Sequence, residues 1–531
     1  MKCYDYVIVG AGTSGCVMAA RLAGHGSVLL IEAGGSGSTR TIRIPAAFPR
    51  LFKTSVDWTY FTEPELQLHN RRLYWPRGKV VGGCSAINAM IYVRGHRSDY
   101  DAWRDAGNAA WGYDDLLPYF LQSEDNERGI SPFHATGGPL PVSDQRSPNP
   151  LTYAFIEACT EIGIHGNDDF NGLRQEGVGL YQVNQRGGER WSAARSFLEP
   201  LLRSGKVAII TSAHAVRILF DKQTAVGVEY RSEGSIHQVM AAGSVILACG
   251  SVNTPQLLML SGVGPAHQLR ARGIPVLCDL PGVGRNLQDH LSVGVMYQCT
   301  QNVTLDKADT LSNLANYLLR RRGPFTSNIA EAGAFVRSSP DLTAPDLQFL
   351  FGPAYFINHG FTRPDGHGFS IGVVQLRPES RGSVELRSSN PFDAPVIRAN
   401  YLSAELDRKV LYEGLRIARR IAAARAFDAW RGDPYLPASK DPDPATLMQH
   451  IRSQSQTMYH PVGTCKMGSD AASVVDSKLR VHGINNLRIA DASIMPSIIG
   501  GNTNAPSVMI AERAAAMIIA GENNVEAEQA S

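Results

Sequence analysis

Apolar runs broken by glycines open the chain. Tyr4-Asp5-Tyr6-Val7-Ile8-Val9 is β-branched and aromatic and stops at Gly10, the pattern of a buried strand. Cys16 to Ala23 is rich in Ala and Leu and reads as a helix. Val28-Leu29-Leu30-Ile31 reads as a second buried strand that ends at Glu32. Later apolar runs at 207–211, 216–220, 225–230 and 244–249 predict more strands, and Thr254-Pro255 predicts a helix start. Residues 306–454 differ, with short strand-like runs at 346–351 and 369–374 and a helical stretch from Ser403 to Ala424. From 455 glycine-rich turns return, followed by a short strand at 487–490 and a closing helix from Pro506. The pattern predicts an α/β nucleotide-binding domain interleaved with a second domain, a sheet with flanking helices.

The turn after the first strand carries chemistry. Gly10-Ala11-Gly12-Thr13-Ser14-Gly15 is an intact G-x-G-x-x-G. Gly10 permits the tight turn, Gly12 lets the backbone reach a pyrophosphate, and Gly15 lets the helix pack against the strand. The helix N-terminus then offers free N–H groups and the positive end of its dipole. Glu32 follows Gly10 by 22 residues, the offset of a carboxylate that accepts from ribose hydroxyls. A carboxylate there disfavours a 2′-phosphate. Strand, helix, second strand and acid together point to a dinucleotide, with FAD and NAD both open at this stage.

Composition narrows the class. A net charge of +2 over 531 residues speaks against a nucleic-acid binder, and 44% hydrophobic with 19% charged residues describes a globular protein. The eight cysteines form no CxxC pair and read as reduced, mostly buried thiols, with no metal site expected. No apolar run approaches a membrane span, and the chain enters its first strand without a secretory signal, so the expected location is cytoplasmic or peripheral to a membrane. Arg71-Arg72 and Arg320-Arg321-Arg322 read as solvated charge.

Three further segments carry a resemblance. They are Gly78-Lys79-Val80-Val81-Gly82-Gly83-Cys84-Ser85-Ala86-Ile87-Asn88, Gly250 to Gly264, and the pair Tyr459-His460-Pro461-Val462-Gly463 with Asp491-Ala492-Ser493 and Asn502-Thr503-Asn504-Ala505-Pro506. With the first βαβ unit they make the chain resemble a glucose–methanol–choline (GMC) oxidoreductase over essentially its whole length. The members it resembles include choline, aliphatic alcohol and L-sorbose dehydrogenases.

The resemblance implies a Rossmann-like FAD-binding domain interleaved with an α+β substrate-binding domain that has an antiparallel sheet with helices. The expected division is 1–150, 197–305 and 455–531 for FAD, with lid and loop segments at 36–76, and 151–196 and 306–454 for substrate. It implies that Gly10, Gly12, Thr13, Ser14, Gly15, Glu32, Ala33, Trp75, Val81, Gly82, Gly83, Ser85, Asn88, Ala89, Val216, Asp491, Ala492, Asn504 and Ala505 hold FAD. Val216 would touch the adenine edge through its backbone, Gly82 to Asn88 would pass over the isoalloxazine, and Asp491 would lie near the pyrophosphate and ribityl chain. N–H groups at the Asn504-Ala505-Pro506 helix start would stabilise negative charge on the reduced ring. Some members bind FAD covalently through a histidine in the second segment. Ile87 stands at that place here, so the expected FAD is non-covalent.

Oxidising an alcohol requires a base for the hydroxyl proton while hydride leaves carbon for flavin N5. His suits that task, and among fourteen histidines His460 stands out by its Tyr459/Pro461 context and by Asn504, 44 residues later. His460 is expected as base and Asn504 as the group that hydrogen-bonds the substrate oxygen, with Asn502 a neighbour easily confused with it. Tyr459, Phe335, Phe351 and Trp58 are expected in the substrate pocket, and Glu331 as a carboxylate toward a cationic head group. The expected reaction is oxidation of a primary alcohol or polyol with a quinone or dye-like electron acceptor. The alternatives are an oxidase that uses O2 and gives hydrogen peroxide, and a redox-silent flavoprotein like the family's hydroxynitrile lyases.

Overall fold

The computed structural model describes residues 2–530. Strand β1 (Cys3–Val9), helix α1 (Thr13–Leu22) and strand β2 (Val28–Ile31) form the predicted βαβ unit. Strands β3 (Ala208–Ile210), β4 (His214–Asp221), β5 (Thr224–Ser232) and β6 (Ser235–Leu247) return to it. The sheet runs β3-β2-β1-β6-β5-β4, and a short strand, Leu487–Ile489, adds parallel to β6. β1 is central in the sheet, paired parallel with β2 and β6, and core residues pack on both of its faces. This explains why Val7, Ile8 and Val9 are buried in succession instead of alternating. Helix α2 (Gly250–Leu260) follows β6, and the closing helix α5 (Asn504–Ala530) packs on α1. It begins two residues before the predicted Pro506.

The second sheet is antiparallel. Its order is Arg431–Leu436, Leu291–Cys299, Gly368–Gln375, Leu347–Gly352, Ala332–Val336, Gly177–Leu180. Leu291–Cys299 lies inside the stretch 197–305 expected for the first domain, yet it is a central strand of the second sheet. The boundary expected at 305 is too late, because Leu291, Val293, Val295 and Tyr297 bury into the second sheet's core.

Alternation then decides what each face does. Val293, Val295, Phe349, Phe351, Phe369, Ile371 and Val373 pack in a core with helix α4 (Glu405–Ala423). Ser292, Gly294, Met296, Leu350, Gly352, Ser370 and Gly372 line the large cavity between this sheet and the βαβ unit. One helix, α3 (Leu311–Arg320), lies on the surface and packs on the turn Pro324–Thr326.

Candidate active site

A single elongated cavity of about 350 Å³ runs from Glu32 to His460. At its first end the glycine turn behaves as the sequence predicts. A Cβ on Gly15 would lie 1.8 Å from the Gly10 carbonyl oxygen, so only glycine permits the packing of α1 on β1. Gly83 has φ +53°, and a Cβ there would come within 2.6 Å of Gly12 Cα, so the two glycine segments interlock backbone to backbone. No side chain caps α1, and Thr13 and Ser14 face the cavity, leaving first-turn N–H groups for an anion, whereas at the start of α2 Asp491 Oδ2 accepts from Gly250 N at 2.9 Å. Glu32 accepts from Ala11 N at 2.9 Å and Gly34 N at 2.8 Å. Burial pushes its carboxyl up to about 7.

Gly10, Gly12, Thr13, Ser14, Glu32, Ala33, Gly83, Asn88, Ala89, Asp491, Ala492 and Asn504 all line the cavity. The uncapped N-terminus of α1, a glycine cradle and a buried carboxylate fit a dinucleotide such as FAD. The remaining cofactor residues stand behind this surface. Gly82 N donates to the Ala11 carbonyl at 2.8 Å, Val81 N donates to the Gly35 carbonyl at 3.0 Å, and Ser85 Oγ accepts from Ala193 N at 3.0 Å. These bonds fix the turn that presents Gly83 and Asn88. Gly15 and Ala505 serve helix packing.

Two expected positions lie off the cavity wall. Val216 is buried within β4, and the cavity wall there is formed by its predecessors Ala213, His214 and Ala215. Trp75 is 1% exposed with its ring edge-on to Tyr401, and Pro76, Arg77 and Gly78 line the cavity in its stead.

At the far end, His460 lines the cavity with its ring held by its neighbours. Asp289 Oδ1 accepts from His460 N at 2.7 Å, while Thr457 and Tyr401 donate to the other carboxylate oxygen. The next residue, His290, meets the ring itself, Nδ1 to Nδ1 at 3.0 Å. His290 Nε2 lies 3.0 Å from the Leu376 carbonyl, which can only accept, so Nε2 carries the proton. Burial holds His290 neutral, near 3, so its Nδ1 is an acceptor. His460 Nδ1 therefore donates, and His460 Nε2 is left unprotonated, an acceptor toward the cavity. Burial, with His290 and Arg77 adding to it, holds His460 well below the usual imidazole range.

Asn502 completes the arrangement. Its Nδ2 donates to His460 Nε2 at 3.3 Å, and its Oδ1 accepts from Gln348 Nε2 at 3.2 Å. Asn504, the expected partner, is turned away. Its Oδ1 accepts from Thr13 Oγ1 at 3.1 Å and its Nδ2 donates to Asn184 at 3.3 Å. The reason is local: Asn504 is the first residue of α5 and faces α1, whereas Asn502 lies in the loop before it.

The expected substrate residues divide. Tyr459 lines the cavity and its hydroxyl lies 2.6 Å from His359 Nδ1. Trp58 also lines it, but against His214 and under Lys79, at the Glu32 end. Phe335 and Phe351 are fully buried away from the cavity. Phe351 stacks on Phe155 at 4.9 Å because strand alternation turns it from the cavity face, whereas Phe335 shares the face of Gln348 and Leu350 but packs on Phe170 and Tyr181 beyond the cavity. Glu331 is also removed from it, accepting from Asn149 N, Thr152 Oγ1 and Ser327 Oγ. Phe48, Phe52, Ile329, Phe356, Met458 and Tyr459 surround the His460 end.

The sequence matches the GMC oxidoreductase family at residues 4–292 for its N-terminal domain and 378–511 for its C-terminal domain. An alcohol dehydrogenase [acceptor] of Pseudomonas putida is 46% identical over 97% of this chain and 96% of its own. The mitochondrial choline dehydrogenase of Homo sapiens is 43% identical over 97% of this chain and 89% of its own. The crystal structure of pyridoxine 4-oxidase from Mesorbium loti superimposes with a TM-score of 0.88 at 34% identity, covering 96% of this chain and 98% of that one. The chain belongs to the GMC oxidoreductase family. It is an FAD-dependent oxidoreductase of alcohols.

Proposed function

We propose that His460 is the base and Asn502 the oxygen-binding group in the oxidation of a neutral, largely apolar alcohol. The observation that carries this is the hydrogen-bond polarity around the pair. Two backbone carbonyls dictate it from outside the cavity. The Leu376 carbonyl orients His290, which leaves His460 Nε2 unprotonated. The Phe349 carbonyl takes the Tyr181 hydroxyl proton, Gln348 Nε2 donates to both the Tyr181 oxygen and Asn502 Oδ1, and the Asn502 amide N–H is turned to the cavity. An alcohol oxygen between the two would donate to His460 and accept from Asn502.

In that position the hydroxyl proton passes to His460 Nε2 as the carbon gives up hydride, and Asn502 steadies the negative charge gathering on oxygen. Bound flavin supplies the hydride acceptor. FAD is bound non-covalently on this reading, with Ile87 offering no nucleophile for attachment.

The substrate class follows from the lining. Glu32 and Asp491 are the only carboxylates on the cavity wall among the described residues. Asp491 is engaged by Gly250 N, Thr254 Oγ1 and Ser493 N, and Glu32 lies at the dinucleotide end. The aromatic and aliphatic surface around His460 has no anion to receive a quaternary ammonium. Primary alcohols with apolar chains or rings are therefore good substrates on this reading.

The P. putida relative, named for an unspecified acceptor, supports electron delivery to a quinone or dye-like acceptor. The pyridoxine 4-oxidase neighbour favours the second reading, an oxidase. Hydrogen peroxide formed in air in proportion to alcohol consumed selects the oxidase, and dye reduction without peroxide selects the dehydrogenase. A panel of alkyl, aryl and polyol alcohols and choline, mixed anaerobically with the holoenzyme, tests the substrate class by bleaching of the flavin band.

A further inference from the structure

Helix α3 has its apolar face on the outside. Leu311 is 85% exposed, Leu318 59% and Leu319 84%, and Leu314 is also exposed. At about 100° per residue these leucines and Ala315 fall in one arc of a helical wheel. The opposite side is anchored by Tyr317, which is buried against Phe325. A row of four leucines facing water is costly unless something covers it.

The charges beside it are mostly positive. Arg320 and Arg322 are exposed at the helix's C-terminal end, whereas Arg321 is drawn onto Tyr317 and Glu189. Lys307 lies before the helix. Arg50 and Arg363 share a single partner, Asp309, and Lys307 approaches Asp365 at 4.0 Å. The remaining nearby acid, Asp306, is turned inward onto Thr304 and the Tyr355 and Gly368 N–H groups. The helix itself carries no acidic residue.

The face also adjoins the cavity. Helix α3 packs on the turn Pro324–Thr326, and that turn leads directly into Asn328, Ile329 and Ala330 of the cavity wall. The same turn packs on Pro45–Leu51, which contributes Phe48.

We propose that α3 docks the protein on an anionic lipid bilayer, the leucines entering the acyl boundary and Arg320, Arg322 and Lys307 meeting the headgroups. Exposed leucines alone fit any apolar partner. The cationic border beside an acid-free helix selects a surface that is both apolar and negative. Docking beside the segment that supplies Asn328, Ile329 and Ala330 would hold this wall of the cavity next to the apolar solutes of the bilayer. The inference rests on α3 and its surroundings and stands whether or not the assignment of His460 holds.

The test uses the FAD-loaded protein and sedimenting vesicles, either phosphatidylcholine alone or an equal mixture with phosphatidylglycerol. Binding is expected to the mixed vesicles, weaker to phosphatidylcholine, and reduced by salt. The triple variant Leu311→Ser/Leu318→Ser/Leu319→Ser and the double variant Arg320→Glu/Arg322→Glu are each expected to bind at least about tenfold more weakly. Both should keep their flavin and their turnover of a water-soluble alcohol, since these side chains project into solvent. No binding of the wild type to mixed vesicles overturns the proposal, as does unchanged binding by the leucine variant. So does a wild-type dimer that dissociates in the leucine variant while neither form binds vesicles, because the face would then join two copies of the chain.

Discussion

His290 Nδ1 and His460 Nδ1 face each other at 3.0 Å inside the protein, and only one of them can hold the proton. The Leu376 carbonyl decides which, because it requires a proton on the far nitrogen of His290. The adjacent Asp289 holds the His460 backbone, so two consecutive residues fix both the position and the tautomer of one ring. His290 is thus a positioning residue, acting through His460. Replacing it by leucine removes the acceptor and lets the His460 proton reside on either nitrogen. His290→Leu should lower the rate of flavin reduction by about tenfold to a thousandfold with FAD retained. His290→Asn, whose carboxamide oxygen can take the same hydrogen bond, should recover part of the loss. A purely structural role would give equal losses in both variants that track melting temperature.

Asn502 and Asn504 should separate by kinetics. Asn502→Ala removes a donor aimed at the substrate oxygen and should cost about a hundredfold to a thousandfold in turnover. Asn504→Ala breaks the contacts with Thr13 and Asn184. Its expected effect is faster loss of FAD and a lower melting temperature, with a much smaller change in turnover of the flavin-loaded fraction. The reverse ranking would restore Asn504 as the oxygen-binding group.

Phe351 lies on the core face of its strand. Its ring stacks on Phe155 and is fully shielded. Phe351→Ala should destabilise the protein by about 3–5 kcal/mol, the range for an emptied aromatic core position. KM across a series of alcohols should keep its ranking. A selective change for large substrates, with stability intact, would put the ring in the pocket after all.

A second buried cluster sets a pH dependence of stability. His134 bridges Glu124 at 3.0 Å and Asp169 at 2.9 Å, and Arg94 pairs with Glu124. These partners outweigh burial and raise His134 to about 9. Its folded-state value is thus raised above that of the unfolded chain. The stabilisation is fully present below about pH 6.5 and is lost as pH rises through about 9. His134→Ala should lower the unfolding free energy by about 1–3 kcal/mol near neutrality, since Glu124 keeps Arg94 and loses only its hydrogen bond to a charged imidazole. Denaturant titrations of both forms should converge above pH 9. A gap independent of pH would contradict the charged pairing.

Local patterns in the chain revealed the dinucleotide end of the site. Gly10 to Glu32 is contiguous, and each residue's role follows from its neighbours within one βαβ unit. The catalytic end could not be read in the same way. His290 lies 170 residues from His460, and nothing near Asp289-His290 in the chain sets it apart from the other histidines. Asn502 and Asn504 are two residues apart in similar surroundings, and the start of α5 decides which one faces α1. Phe351 is an aromatic residue near a pocket, and only strand register turns it to the core face, while Phe335 is on the cavity side of the sheet and only its distance along the strand puts it against Phe170 instead. The same register explains the misplaced boundary at 305, since Leu291–Cys299 continues smoothly in sequence from the segment before it while crossing to the other sheet.

The most direct test is rapid anaerobic mixing of FAD-loaded His460→Ala with an alcohol that bleaches the wild-type flavin. Absorbance of the flavin band is followed in both proteins across a range of pH. The variant should keep its flavin spectrum and reduce about two to four orders of magnitude more slowly. The wild-type rate should stay level as pH falls through 6.5, because burial keeps His460 Nε2 unprotonated there. A variant that reduces at the wild-type rate would contradict the assignment of His460 as the base.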